Sequence, residues 1–205
     1  MSELSDITKD FFDSKASSWD SRSKSNLSYL KEMILESGIS EGDSVLDVAC
    51  GTGIITGILN SLTHKKVIGL DLSTEMIKIA NEKYKNNQEV EFYAQDFINY
   101  QGEEKDIIFM FNAYPHFLDL EALKNAIYRN LKVGGKFVIF SDLSLERLKV
   151  HHQHCMHVSR EINSLKDDFK IYNQQFDIIK NEDDEKHYLV IGIKNKFLLF
   201  WKGTF

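Results

Sequence analysis

Nine consecutive residues, Val45-Leu46-Asp47-Val48-Ala49-Cys50-Gly51-Thr52-Gly53, run from an apolar strand-forming stretch into a turn with two glycines one residue apart. Glycines in such a turn take backbone angles barred to other residues and let the main chain approach a ligand closely. Asp71 ends the next apolar run, at a position from which one carboxylate can accept both hydroxyls of a ribose. Asp96 follows the run after that. A glycine turn and three carboxylates are chemistry for holding a nucleoside. Each acid could instead cap the helix after its strand. The recurrence of Asp71 and Asp96 at the same place in successive units favours the ligand.

Two ligand classes use this geometry. A dinucleotide fingerprint needs G-x-G-x-x-G, and counted from Gly51 and Gly53 its third place falls on Thr56, with Gly57 one residue late. Asp47, beside the loop, would repel a dianionic pyrophosphate but suits the ammonium of a methionine moiety. Charge complementarity therefore favours S-adenosylmethionine and makes an NAD(P)-dependent oxidoreductase the remoter alternative.

Further chemistry sits downstream. Tyr114, Pro115 and His116 follow the fourth apolar run, and Pro115 is the chain's only proline. A histidine that titrates near neutrality could take a proton from an acceptor; the alternative is a turn that happens to contain one. The order Asn112-Ala113-Tyr114-Pro115 does not match the D/N-P-P-Y signature of amino methylation, so exocyclic amines of nucleic-acid bases are poor substrates. His151, His152, His154, Cys155 and His157 cluster at helical spacing. No carboxylate completes a recognised zinc pattern, so no metal is expected, and a helix lending a histidine to the acceptor pocket is preferred. Cys50 and Cys155 lack CxxC spacing and read as reduced thiols.

These residues need elements to position them. Strand-type runs at Ser44 to Ala49, Lys66 to Asp71, Val90 to Ala94, Asp106 to Phe111 and Gly135 to Ser141 alternate with helical-period segments, the pattern of βαβ units and a mainly parallel sheet. Ser73 is placed to cap a helix carrying Met76, Ile77, Ala80 and Tyr84. Asp119 opens another carrying Leu123, Ala126, Ile127 and Leu131, which Gly134 and Gly135 would end. Phe176 to Ile179 and Tyr188 to Ile193 flank the polar Asn181 to Lys186 and read as an antiparallel hairpin. Asn26 to Ser37 fits an amphipathic helix closed by Gly38. The first 25 residues would be loose unless Phe11, Phe12 and Trp19 dock.

The 205 residues, 42% apolar, suffice for one domain. Acids outnumber bases 31 to 25 for a net charge of -6, which disfavours nucleic acid. No apolar run approaches the roughly 18 residues of a membrane span, and the polar, acidic start points to a cytoplasmic protein.

The motifs together resemble the class I S-adenosylmethionine-dependent methyltransferase family over residues 40 to 195. The likeness implies an α/β fold: a doubly wound, seven-stranded, mostly parallel sheet with an antiparallel C-terminal hairpin. Asp47, Ala49, Cys50, Gly51 and Gly53 are similar to the family's first motif, with Ala49 in place of a glycine. Asp71 matches its ribose acid, with Leu72 and Met76 against adenine. Gln95, Asp96 and Phe97 are similar to the third motif, where the acid and the next N–H meet the adenine edge. Asn112 and Ala113 line the methyl-donating end. Leu131 to Gly135 resembles an L-K-P-G-G turn with Val133 in the proline's place. Phe11 to Asp20 is similar to the opening of relatives in the quinone-biosynthesis group, where this segment caps the cofactor.

The resemblance implies methyl transfer to a small molecule by in-line displacement. Candidate catalytic residues are His116 and Tyr114, and candidate pocket residues are Phe12, Trp19, His151 and His152. A cofactor-binding module without turnover is the rival reading. One methyltransferase domain is expected over 1–205, with a helical cap at 1–39, a core at 40–195 and an apolar tail at 196–205, as monomer or homodimer.

Overall fold

The alternation of strand and helix segments becomes a seven-stranded sheet between layers of helices in the computed structural model, which describes residues 3–23, 25–152, 157–162 and 164–196. Helices α1 (Glu3–Lys15), α2 (Trp19–Arg22) and α3 (Leu27–Glu36) precede strand β1 (Val45–Val48). Then come α4 (Thr56–Thr63), β2 (Val67–Asp71), α5 (Thr74–Lys83), β3 (Val90–Ala94) and β4 (Lys105–Phe111). The chain continues through α6 (Leu120–Asn130), β5 (Leu131–Ser141), α7 (Leu145–His152), α8 (Leu165–Asp168), β6 (Phe176–Asp183) and β7 (Tyr188–Lys194).

The sheet order is β3-β2-β1-β4-β5-β7-β6. β1 pairs in parallel with both β2 and β4, while β7 runs antiparallel to β5 and β6, so the expected doubly wound sheet with its closing hairpin is present. The chain winds outward from β1 to one edge and restarts at β4. Strand order therefore reverses between β1 and β4, and such a reversal opens a crevice at the carboxyl ends of the strands. β1 is buried along its whole length, as a strand covered by helices on both faces must be.

Alternation divides the core. Leu46, Val48, Ile108, Met110, Phe137 and Ile139 face α6 and α8, while Val45, Ile107, Phe109, Val138 and Phe140 face α3 and α4. Asp47 shares the register of Val45, which aims a carboxylate at α4. Asn26 caps α3, its Oδ1 accepting from the N–H groups of Ser28 and Tyr29. Gly38, with φ +69°, follows the end of that helix.

The glycine pair behaves differently from expectation. α6 stops at Asn130, and Gly134 and Gly135 lie inside β5. Asn130 is fully buried; its Nδ2 donates to Ala126 O at 2.9 Å and Tyr100 O at 3.1 Å, and its Oδ1 accepts from Gly102 N at 3.1 Å. Those bonds let the chain leave the helix directly into a strand. Gly135 is needed because a Cβ there would lie 2.9 Å from Asp106 O. β6 also runs on to Asp183, beyond the expected Ile179.

We expect Asn130→Ala to destabilise the protein by about 1–3 kcal/mol, because it removes three hydrogen bonds made by a fully buried amide. Urea denaturation followed by circular dichroism measures it; a shift below about 0.5 kcal/mol would show that the side chain does not organise this exit.

Candidate cofactor site

The crevice at the reversal point is floored by the loop after β1. Ala49, Gly51 and Gly53 have φ of 54°, 55° and 81°, so three of the residues between β1 and α4 are left-handed. Ala49 pays a strain of roughly 1 kcal/mol for this conformation, which glycine would not. A Cβ on Gly53 would lie 3.0 Å from both the Phe92 ring and the Tyr84 ring, whereas a Cβ on Gly51 would meet only Trp19 Nε1, at 3.7 Å. Packing dictates the second glycine, and an open surface under an indole dictates the first.

Asp47 is 1% exposed. Thr56 Oγ1 donates to its Oδ2 at 2.6 Å, and its Oδ1 has no hydrogen-bond partner. Loss of water, with Asp71 adding repulsion against the Thr56 bond, pushes the carboxyl up to about 7. Such a group becomes a full anion once a cation arrives beside it. Asp71 accepts from Gly51 N through Oδ2 and from Ser73 N through Oδ1, both at 2.8 Å. Burial drives it up to about 6 in spite of those bonds. Each oxygen retains a second lone pair, so two hydroxyls can still be received. Asp96 does perform a capping role: it accepts from Ile98 N and Asn99 Nδ2, both at 2.9 Å.

β4 supplies the far wall. Asn112 is left-handed at φ 52°; its Nδ2 donates to Asp142 Oδ1 at 2.8 Å, and its Oδ1 is buried without a partner. Ser25 Oγ donates to the other oxygen of Asp142 at 2.6 Å, which ties the amino-terminal segment to this wall.

That segment is docked over the crevice. Phe12 meets Trp19 and His116 edge-on at 5.7 and 4.9 Å, and Phe11 meets His157 at 5.4 Å. Asp13 accepts from Ser73 Oγ at 2.5 Å and Glu75 N at 3.0 Å. Burial raises this carboxyl, but the Lys9 ammonium and these donors together hold it below its ordinary value. Asp20 accepts from Thr52 Oγ1 at 2.5 Å and pairs with Lys83 at 2.7 Å.

Asp47, Ala49, Gly51, Gly53 and Asp71 thus converge on one loop and its neighbouring strand end. Cys50 is buried beside them, and its thiol, raised by burial, is closed to chemistry. Leu72 is half-buried; Met76, Phe97 and Ala113 are buried; Gln95 is exposed, with its N–H on Asp71 O at 2.8 Å. His116 Nδ1 lies 2.9 Å from Val158 O, and burial lowers its pKa, so the imidazole is neutral. Tyr114 belongs to the interior instead: it is 0% exposed, stacked on Phe169 at 5.1 Å, with a phenol that burial pushes far above its usual range. His151 and His152 end α7, but their side chains, with His154 and Cys155, lie outside the described residues. No group of three metal-ligating side chains occurs among the described residues.

Sequence reasoning passed over Thr56, Asp142 and the anchoring roles of Asp13 and Asp20. The last two had a signal, since each directly follows an aromatic residue singled out as a cap. Asp142 had none, because its partners are 30 and 117 positions away.

The sheet order, the left-handed loop and the strand-end acids give this chain the fold of class I, S-adenosylmethionine-dependent methyltransferases. Residues 46–139 match the model of the methyltransferase domain Methyltransf_11. The putative methyltransferase 235L of Invertebrate iridescent virus 6 is 29% identical over 84% of this chain and 64% of its own length. The malonyl-[acyl-carrier protein] O-methyltransferase of a Marinomonas strain is 31% identical over 65% of this chain and 50% of its own. The chain therefore spans half to two thirds of these relatives. The structure of DhpI in complex with S-adenosylhomocysteine superposes with a TM-score of 0.73 at 19% identity, over 94% of this chain and 98% of that one, which establishes the shared fold. S-adenosylmethionine is the cofactor of this domain class. No helix among the described residues is long and apolar enough to cross a membrane.

The raised Asp47 carboxyl has a consequence for stability. A folded value above the ordinary 3.8 contributes stability that is complete below pH 3.8 and lost as pH rises through about 7. We expect the stability of the ligand-free protein to carry a downward component between about pH 4 and 7, worth at most about 4 kcal/mol, that Asp47→Asn removes. Calorimetric melting of both proteins across that range measures it; parallel curves would refute the assignment.

Proposed function

We propose that this chain is a methyltransferase that passes a methyl group from S-adenosylmethionine to a small-molecule acceptor. The observation that carries the reading is Asp47: a carboxylate oxygen sealed from water, without a donor, beside a left-handed glycine loop. A cation satisfies that oxygen, and a phosphate would be repelled by it. Asn112 offers a second unpaired oxygen on the opposite wall, consistent with an ammonium held between the two. The residues present therefore fit the cofactor.

In this reading Asp47 receives the ammonium, while Gly51 lets the backbone lie against the ligand. Asp71 holds the ribose hydroxyls on its two remaining lone pairs. Asp96 and the N–H of Phe97 address the adenine edge, and Leu72 and Met76 form its wall. Asn112 and Ala113 line the reacting end. The cofactor supplies an activated methyl group on a positively charged sulfur. Transfer is an in-line displacement, so the chain's work is to align the two reactants and exclude water. Phe12 and Trp19, docked on the loop by Asp13 and Asp20, do the excluding. His116, neutral and with Nδ1 directed at a carbonyl, presents the tautomer that can accept a proton through Nε2. Tyr114 serves as packing for the same loop rather than as an acid or base. A small acceptor is supported by short connections between the core elements, and the acidic balance speaks against nucleic acid.

Asp71→Ala is expected to weaken S-adenosylhomocysteine binding by about 2–4 kcal/mol, roughly 30- to 800-fold, in isothermal calorimetry. A loss of tenfold or less would reject the ribose assignment. A screen of small acceptors that reads S-adenosylhomocysteine formation tests the activity itself. Turnover confirms an enzyme, whereas tight cofactor binding with no turnover across oxygen, nitrogen, sulfur and carbon nucleophiles would leave a binding module. Given an acceptor, removal of residues 1–23 should cut turnover at least tenfold, and unchanged turnover would remove the cap from the mechanism.

A further inference from the structure

Behind the loop after β4 lies a set of polar side chains that the cofactor site does not use. Tyr114, Tyr172 and Tyr188 are each 0% exposed. They come from three places in the chain: the loop after β4, the turn before β6, and the first residue of β7. Each hydroxyl is buried without a hydrogen-bond partner. Arg160 joins them, its guanidinium carbon 4.5 Å from the centre of the Tyr114 ring. One guanidinium nitrogen lies 2.7 Å from Asp168 Oδ2, Nε donates to Phe117 O at 3.2 Å, and Nη2 is buried and unpaired. The Arg160 charge acts on the ionisation of all three phenols, so the four groups lie within electrostatic reach of one another.

A folded interior rarely tolerates such a concentration. Each unpaired group costs on the order of 1–3 kcal/mol, and native structures hold only a few in a hundred residues. The four share a property: every one can donate a hydrogen. The carboxylate among them, Asp168, ion-pairs with Arg160 at 2.7 Å and is the one acceptor of the group, its Oδ2 buried without a well-directed hydrogen bond. A buried group with four unpaired donors and one unpaired acceptor is complementary to an oxygen anion. Its place in the fold is equally specific. Tyr114 is two residues from Asn112, and Arg160 N donates to Pro115 O at 2.9 Å, which laces the group to the loop at the reacting end. Arg160 keeps 16% of its side chain exposed, whereas the three phenols are fully buried.

We propose that Arg160, with the hydroxyls of Tyr114, Tyr172 and Tyr188, anchors an oxyanion carried by the methyl acceptor, a carboxylate or a phosphate. The acceptor is then an acidic small molecule. This inference rests on the methyltransferase reading for its purpose, but the anion site can be measured separately. Asp168 holds the guanidinium in the resting protein, and the incoming anion meets the Nη2 that Asp168 and Phe117 O leave unpaired.

The test titrates acetate, inorganic phosphate and neutral acetamide into the protein saturated with S-adenosylhomocysteine, by calorimetry. One of the two anions should bind at least tenfold more tightly than acetamide, and which one does so distinguishes a carboxylate from a phosphate. Arg160→Gln should weaken that anion at least tenfold and leave S-adenosylhomocysteine affinity within twofold. Tyr172→Phe, which removes a hydroxyl without changing shape, should weaken the anion three- to tenfold and provides the test if the arginine variant does not fold. Equal binding of anions and acetamide, or anion affinity untouched by either variant, overturns the proposal. Binding of S-adenosylhomocysteine without the anion would remove this subsite alone, whereas binding of the anion without S-adenosylhomocysteine would remove the methyltransferase reading and leave an anion site.

Discussion

A carboxylate that has lost its water and found only one donor is the constraint around which this domain is arranged. Asp47 stands on an inner strand, between two parallel neighbours, where no solvent can satisfy it. Thr56 from the following helix takes one oxygen and leaves the other open. Burial that nearly neutralises an acid in the free protein also strengthens its attraction for a cation that displaces the proton. The glycine loop, the second acid on β2 and the polar end of β4 all gather within reach of that point. A ligand with a positive charge at one end and a nucleoside at the other is complementary to the whole.

The order of the strands explains why these groups meet. Because the chain leaves β1 for one edge and returns to β4 beside it, two loops diverge there and leave a crevice that no connection crosses. An open crevice would leave reacting groups in water. The amino-terminal helices close it through two carboxylates, one on the start of α5 and one on Thr52 and Lys83, with Phe12 and Trp19 between them. Asp142 works from the opposite side, orienting the Asn112 amide while holding Ser25. Cover and wall are thereby joined, so that the site is completed by the docking of a segment that lies outside the sheet.

The region after β5 carries the domain's individuality. Parallel strands and a glycine loop serve many acceptors, but the contents of the space behind the β4 loop differ with the molecule received. Here that space holds three phenol hydroxyls and one guanidinium nitrogen that the protein itself does not satisfy. Those unsatisfied donors are what the proposed oxyanion would complete.

Local pattern sufficed for much of this. The alternation of apolar runs with helical segments determined the doubly wound sheet and its hairpin, since strand burial and helix periodicity are properties of neighbouring residues. The glycine spacing and the acids at strand ends were legible because backbone angles and strand termini are also local. What contacts across the chain decide was not. The end of α6 moved from Gly134 to Asn130 because a buried amide met partners in a distant loop. Tyr114, named as a candidate for proton transfer, turned out to be enclosed by Phe169 and Arg160. The pairing of Asp142 with Ser25, and the gathering of Tyr114, Tyr172 and Tyr188 in one core cluster, join residues whose separation carries no periodic signal. Only the folded chain brings them together, because hydrogen bonds and desolvation depend on position in space, and a sequence specifies position only through the fold it adopts.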